Sequence, residues 1–330
     1  LKRIAILGAG SWGTALASVV APNFEEVRLW TRDAALAATV SESRENARSL
    51  AGIRLCPSIQ VTADAHECVS SADLVLVAVP TAHVRDLMAR LQGTIPEHSF
   101  IVSTGKGLES GTLFRMTQVI AEAAQRNPDR LLALSGPSFA NEVAAGKPAA
   151  IVIAGPREAA LAVRHALARP SFRVYSTEDR IGVEIGGALK NVVALGAGMA
   201  AGLELGYNAG AALITRGLAE ITRLAVAMGG QSRTLAGLSG LGDLILTCTG
   251  EQSRNRQLGV RMSQAVSVLD VLVTNTATTE GVGTAGAAVR LGHEFDVEMP
   301  IAAEMTAVLE GRHRPEEAIH RLMERTLKEE

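Results

Sequence analysis

Arg3-Ile-Ala-Ile-Leu-Gly8-Ala-Gly10-Ser-Trp-Gly13-Thr-Ala is the stretch whose reading decides the fold of this chain. Arg3–Leu7 is a short apolar run of strand type, and Thr14 to Ala21 reads as a helix. Strand, G-x-G-x-x-G and helix together are the context that a dinucleotide-binding turn requires. Gly8 permits the tight turn, Gly10 lets the backbone approach a pyrophosphate, and Gly13 lets the helix pack on the strand. The helix N-terminus then faces the phosphates with free N–H groups and the positive end of its dipole.

Working outward, a second strand, Val27-Arg-Leu-Trp30, ends in Thr31-Arg32-Asp33. At this place an acid serves the ribose hydroxyls of NAD, whereas an arginine accommodates the 2′-phosphate of NADP. Both residue types are present. Arg32 favours NADP, and Asp33 also reads as the cap of a helix from Ala34, so NAD or NADP stays open. Leu74–Val79 is continuous and β-branched, as a buried parallel strand should be. It leads to Pro80-Thr-Ala-His83, and His83 falls in the first turn of the next helix, outside the catalytic set.

Phe100-Ile-Val-Ser103 is another strand, followed by Thr104-Gly-Lys106-Gly-Leu. A lysine between glycines at a strand's carboxyl end is placed to meet a phosphate, or is a solvated loop residue. A helix over 112–125 and a strand over 131–134 lead into Ser135-Gly136-Pro137-Ser138. Gly136 and Ser138 offer N–H and hydroxyl donors to an anion, or form an ordinary turn. Strands over 149–153 and 172–175 extend the pattern and then stop. The expected architecture is α/β: a Rossmann-type, mostly parallel sheet over 1–180 and an all-α domain over 181–330.

The second half opens on Gly182-Val-Glu-Ile-Gly-Gly-Ala-Leu-Lys190-Asn-Val-Val-Ala-Leu-Gly-Ala-Gly-Met-Ala-Ala201. At helical spacing Lys190 shares a face with Gly186, Ala194, Ala197 and Ala201. An ammonium there either snorkels to the surface or faces a cleft as a catalytic group. Asp243, in the glycine-rich segment 234–245, is a helix cap or a partner for a substrate hydroxyl. Ser253-Arg254-Asn255-Arg256 puts two guanidiniums among neutral polar groups, a composition suited to phosphate. In the helix over 209–228, Arg216, Glu220 and Arg223 are expected on the polar side. The tail from Pro315 reads as a charged amphipathic helix.

The totals narrow the function classes. The chain has 330 residues, 47% hydrophobic but only 3% aromatic, so its core is built from aliphatic side chains and glycine. A formal net charge of −2, with no block of like charge, gives no nucleic-acid or membrane footprint. The three cysteines, Cys56, Cys68 and Cys248, form no metal-ligand pattern and suit a reducing, cytoplasmic setting. No metal and no membrane insertion are expected.

Taken together, Gly8-Ala-Gly-Ser-Trp-Gly-Thr-Ala15, Thr104-Gly-Lys-Gly-Leu108, Ser135-Gly-Pro-Ser-Phe-Ala140, Ala188-Leu-Lys-Asn-Val192, Gly240-Leu-Gly-Asp-Leu244 and Ser253-Arg-Asn255 resemble a family. In this order and spacing the chain is similar, over almost its whole length, to the bacterial-type NAD(P)-dependent glycerol-3-phosphate dehydrogenases. The resemblance implies reversible reduction of dihydroxyacetone phosphate to sn-glycerol 3-phosphate, feeding glycerophospholipid synthesis, by a homodimer. It makes Lys190 the proton-transferring group. It assigns Lys106, Gly136, Ser138, Asp243, Ser253, Arg254 and Asn255 to the substrate. It assigns Ser11, Trp12, Arg32, Lys106, Ala140, Arg254, Thr278 and Glu280 to the dinucleotide. The competing readings are a related β-hydroxyacid or ketopantoate-type dehydrogenase, and a dinucleotide sensor without catalysis.

Reduction of a ketone leaves an alkoxide, so an acid must stand beside that oxygen. At its reference pKa of ~10.4 lysine is such an acid, but only roughly one in a thousand would be neutral for the reverse direction. Burial and the charge of Lys106 are expected to lower that pKa, and Asp243, if close, to oppose the shift.

Overall fold

A computed structural model describes residues 1–324; the end of the tail, 325–330, lies outside the described residues. Eight strands form one sheet: β1 (Arg3–Leu7), β2 (Glu26–Trp30), β3 (Ile59–Thr62), β4 (Leu74–Val77), β5 (Phe100–Ser103), β6 (Leu131–Ser135), β7 (Ala149–Ala154) and β8 (Phe172–Thr177). Their order is β3-β2-β1-β4-β5-β6-β7-β8. Every neighbouring pair is parallel except β6 and β7, where Leu134 lies opposite Ile153. The four residues of β4 are all buried, as are the last four of β1. Continuous burial follows because apolar clusters cover both faces: Leu16, Val20 and Val40 on one, Leu87, Met88 and Ile120 on the other.

The order reverses between β1 and β4, and at the carboxyl end of this switch point open α/β sheets bind ligands. The glycine turn stands there. Gly8 has φ +122°, and a Cβ on it would lie 2.8 Å from the Ala78 carbonyl oxygen. Only glycine fits such a position.

The chain divides into two compact units, Leu1–Gly105 with Phe114–Val183, and Lys106–Leu113 with the residues from Glu184 on. The expected split at 180/181 places Lys106–Leu113 in the first domain, but these residues group with the second unit. The Lys106 carbonyl accepts from Asn191 Nδ2 at 2.8 Å, and the Ser110 carbonyl accepts from Arg290. Leu113 then takes φ +63°, so the helix expected from 112 starts only at Met116.

The second unit is helical. Arg180–Gly202, long and apolar enough to cross a membrane by length and composition, is 89% buried within the protein over its apolar window, as a core helix is. Gly206–Ala227 follows, and here the sequence expectation fails at Glu220. Its carboxylate is buried and accepts the N–H groups of Ile301 at 2.9 Å and Ala302 at 3.0 Å, closing the start of the Pro300–Leu309 helix. Such orphan N–H groups need partners, and a buried carboxylate needs donors.

The Arg180–Gly202 and Arg254–Gln264 helices touch backbone to backbone. A Cβ on Gly198 would lie 2.0 Å from the Arg256 carbonyl oxygen, and one on Gly259 would lie 2.1 Å from that of Leu195. This contact sets Ser253–Asn255 beside the turn of helix that carries Lys190.

Candidate active site

In the first unit the dinucleotide turn is held from below. Asn46, fully buried, donates to the Ala9 carbonyl at 2.8 Å and to Thr14 Oγ1 at 2.9 Å. The helix Ser11–Val20 begins at Gly10 with no side-chain cap among the described residues, and nothing lies within 4 Å of where a Gly10 Cβ would stand. Uncapped N–H groups facing open space are what a pyrophosphate requires, so the turn fits the dinucleotide. Ser11 donates to the Ser49 carbonyl at 2.6 Å, and Trp12 packs on the core below the helix. The Ala140–Ala144 helix packs on Ser11–Val20, which brings Ala140 to this region. Gly136, at φ +134°, and Ser138, which donates to the Gly136 carbonyl at 2.9 Å, form the turn after β6. Arg32 and Asp33 leave the end of β2. Asp33 caps the Ala34–Ser43 helix, as the sequence suggests.

In the second unit Lys190 is 5% exposed and does not snorkel. Its ammonium donates to Asp243 Oδ1 at 2.5 Å and to Thr247 Oγ1 at 2.7 Å. The Thr247 hydroxyl in turn donates to the Asp243 carbonyl at 2.6 Å, which turns its lone pair toward the lysine. An ammonium has three N–H donors, so two are fixed by the protein and the third is left for a substrate oxygen. Asp243 Oδ2 accepts from Lys106 Nζ at 2.7 Å. Asp243 opens the Asp243–Thr249 helix, after a π-helical turn at Leu238–Gly242, but its carboxylate is committed to the two lysines and does not cap. Asp243 thus joins the two ammoniums, one at each carboxylate oxygen.

The electrostatics of this centre follow from sharing one acid. Burial pulls the Lys190 pKa down to about 8, with Lys106 adding to the shift and Asp243 opposing it. For Asp243 burial acts upward, but Lys106 and Lys190 together outweigh it and hold the carboxyl below its ordinary range. For the lysine burial dominates, whereas for the acid the two neighbouring ammoniums dominate.

Asn191, the next residue after Lys190, bridges the remaining pieces. It donates to the Lys106 carbonyl, and its Oδ1 accepts from Asn255 Nδ2 at 3.0 Å. Asn255 Oδ1 accepts from Gly281 N at 3.1 Å, which draws the start of the Glu280–Glu294 helix to the same centre. A Cβ on Gly281 would stand 2.6 Å from the Asn191 carbonyl oxygen, so the approach is close. Ser253 is buried as the cap of the Arg254–Gln264 helix, while Arg254 and Thr278 are exposed. Lys106, Lys190, Asp243, Ser253, Arg254, Asn255 and Glu280 thus stand on connected elements of one unit, whereas Arg32, Gly136, Ser138 and Ala140 belong to the other.

Sequence reasoning passed over Asn191 and Thr247. Thr247 had a signal: it lies one helical turn after Asp243 (i, i+4), on the same face as the acid. Asn191 had none beyond adjacency, because its partners are 85 and 64 positions away.

Residues 3–161 match the family described as NAD-dependent glycerol-3-phosphate dehydrogenase N-terminus, and residues 179–320 the corresponding C-terminus. The glycerol-3-phosphate dehydrogenase [NAD(P)+] of Trichlorobacter lovleyi is 44% identical, covering 99% of both chains. That of Koribacter versatilis is 45% identical over 98% of both. The crystal structure of the Coxiella burnetii glycerol-3-phosphate dehydrogenase superposes with a TM-score of 0.92 at 35% identity, covering 98% of this chain and 99% of that one. With both halves matched and relatives similar end to end, the chain belongs to the NAD(P)-dependent glycerol-3-phosphate dehydrogenase family.

Proposed function

We propose that the chain reversibly reduces dihydroxyacetone phosphate to sn-glycerol 3-phosphate with NAD(P)H, Lys190 handling the proton at the C2 oxygen. The observation that carries this reading is the Lys190 ammonium, buried and fixed by Asp243 and Thr247 with one N–H remaining. When bound, the dinucleotide supplies or removes the hydride at C2. In reduction, negative charge grows on the C2 oxygen, and Lys190 donates its proton there. In oxidation the neutral amine takes the proton of the C2 hydroxyl. Asp243 and Thr247 orient the lysine in both directions. Ser253, Arg254 and Asn255 hold the phosphate end, with Gly136 and Ser138 as further substrate positions and Lys106 adding positive charge. Ser11, Trp12, Arg32, Ala140, Thr278 and Glu280 serve the dinucleotide.

Absorbance of the nicotinamide, with dihydroxyacetone phosphate and NADH or NADPH, tests the activity; binding of both without oxidation of either sinks the substrate assignment. The lowered pKa of Lys190 sets the pH dependence. With a pKa of about 8, roughly one lysine in ten is neutral at pH 7. The rate of glycerol 3-phosphate oxidation is expected to rise close to tenfold per pH unit below 8 and to level above it. Reduction is expected to fall above pH 8. A flat profile for oxidation between pH 6.5 and 9 argues against the lysine.

Arg254→Glu is expected to raise KM for dihydroxyacetone phosphate about 100-fold, since a charge-assisted contact becomes a repulsion. Unchanged steady-state kinetics would remove Arg254 from the phosphate site.

A homodimer acting in the cytoplasm completes the proposal. Exposed Val266, Leu269, Val273 and Tyr207 supply apolar surface of the kind that subunit contacts cover, and the free thiols of Cys68 and Cys248 suit a reducing compartment. Sedimentation at micromolar concentration checks the oligomeric state.

A further inference from the structure

Thr278 and Glu280, which serve the dinucleotide in the proposed function, belong to a short segment, 275–280, that is tied to the Arg254–Gln264 helix at both ends. Arg261 Nη2 donates to Asn275 Oδ1 at 2.7 Å, and Gly281 N donates to Asn255 Oδ1 at 3.1 Å. The two strands of this ladder run antiparallel: six residues separate Asn255 from Arg261 on the helix, and six separate Asn275 from Gly281 on the segment. Six helical residues rise about 9 Å, whereas six extended residues reach about 20 Å. The segment therefore carries slack, and its middle must stand off as a bulge. Thr276, Ala277 and Thr278 are all exposed, as that requires.

Asn275 takes up the slack. Its Nδ2 donates to the Ala277 carbonyl at 2.9 Å and to Thr279 Oγ1 at 3.1 Å, so one amide closes the bulge on itself. Both amide N–H groups are thereby used. Thr279 stands at the N-cap of the Glu280–Glu294 helix, yet its side chain makes no cap bond there among the described residues; its hydroxyl is turned to Asn275 instead. Arg261 stands two turns beyond Arg254 on the same face of their helix, and both are exposed. That helix meets Arg180–Gly202 backbone to backbone at Gly198 and Gly259, so Arg261 projects from a fixed support.

We propose that Arg261 and Asn275 are positioning residues for the reaction: they hold the bulge in one shape, so that Thr278 and Glu280 meet the dinucleotide already ordered. The inference rests on the dinucleotide reading of Thr278 and Glu280 and goes beyond it, since neither Arg261 nor Asn275 touches a ligand in that reading. A bulge without the latch would lose its backbone freedom at each binding event, and ordering a loop beforehand raises affinity by removing that cost.

Titration of NADH and NADPH by nicotinamide fluorescence, beside steady-state kinetics, tests the latch. Arg261→Ala is expected to weaken dinucleotide binding about 3–10-fold and Asn275→Ala about 10–30-fold, as fits one and three lost hydrogen bonds. The dinucleotide KM should rise while kcat and the KM for dihydroxyacetone phosphate hold, the sign of lost binding and not of lost chemistry. Arg261→Lys keeps a donor for Asn275 Oδ1 and is expected to recover most of the affinity. Asn275→Asp keeps the acceptor but loses both donors, and is expected to match Asn275→Ala. The double variant Arg261→Ala/Asn275→Ala should bind like Asn275→Ala alone, because the arginine acts through the asparagine. Additive losses, or affinities of both alanine variants equal to wild type, overturn the proposal. So does a joint loss of kcat and melting temperature, which a merely structural pair would give. Binding is read without turnover, so the two ideas fail separately. Turnover of dihydroxyacetone phosphate with affinities unmoved leaves the dehydrogenase standing and removes the latch; weakened variants of a protein without turnover do the reverse.

Discussion

Replacing Lys190 with alanine is expected to lower kcat for dihydroxyacetone phosphate reduction by about 10²–10⁴-fold, the usual contribution of a positioned general acid. Dinucleotide affinity is expected to stay within a few-fold, because Lys190 and the glycine turn belong to different units. The size of the loss follows from what remains. Asp243 keeps its pair with Lys106 and its local bond to Thr247, so the site stays ordered, but no proton donor stands at the C2 oxygen. A merely structural lysine would lower stability and leave kcat per folded molecule nearly intact. Added ethylamine, about the size of the end of the deleted side chain, is expected to restore part of the rate to Lys190→Ala. A loss of less than about tenfold, or no response to the amine, argues against proton transfer by Lys190.

The second large effect is expected at Asp243→Asn. The amide keeps the shape of the side chain and removes the charge that Lys106 and Lys190 share at 2.7 and 2.5 Å. Breaking a buried ion pair costs about 3–5 kcal/mol, so the melting temperature should fall by roughly 5–15 °C at pH 7. Without the carboxylate, which raises the lysine pKa, Lys190 deprotonates at a lower pH. The pH midpoint for oxidation should therefore drop below about 8, the value that burial sets in the native site. The destabilisation should shrink as pH rises through that lowered pKa, since the neutral amine no longer repels Lys106. An unchanged midpoint and melting temperature together would mean that Asp243 holds neither lysine in solution.

What the sequence made legible were features written in adjacent residues. The glycine turn follows its strand directly, and the continuous apolar run at Leu74–Val77 reads as a covered strand. Lys190 was visible as the lysine of an otherwise largely apolar helix. Its partners were not, because Asp243 lies 53 positions away and Lys106 lies 137 from that acid. Glu220 was assigned to a polar face by helical spacing, which registers the side chain's position but not the helix that ends against it. Leu113 broke an apparently helical run by adopting a left-handed backbone, a choice that no propensity of leucine announces.

Gly198 and Gly259 bring two helices to a distance at which a methyl group would overlap a carbonyl oxygen. One helix carries Lys190 and the other starts at Arg254. On the proposed mechanism, the phosphate anchor and the proton donor are therefore the fixed jaws of a gauge. A three-carbon ester spans the gap with its carbonyl opposite the amine. A chain one carbon longer must buckle or present the wrong atom, and misplacement by about an ångström lowers a rate by on the order of 100-fold. Discrimination by substrate length would then reside in two residues that have no side chain and touch no substrate.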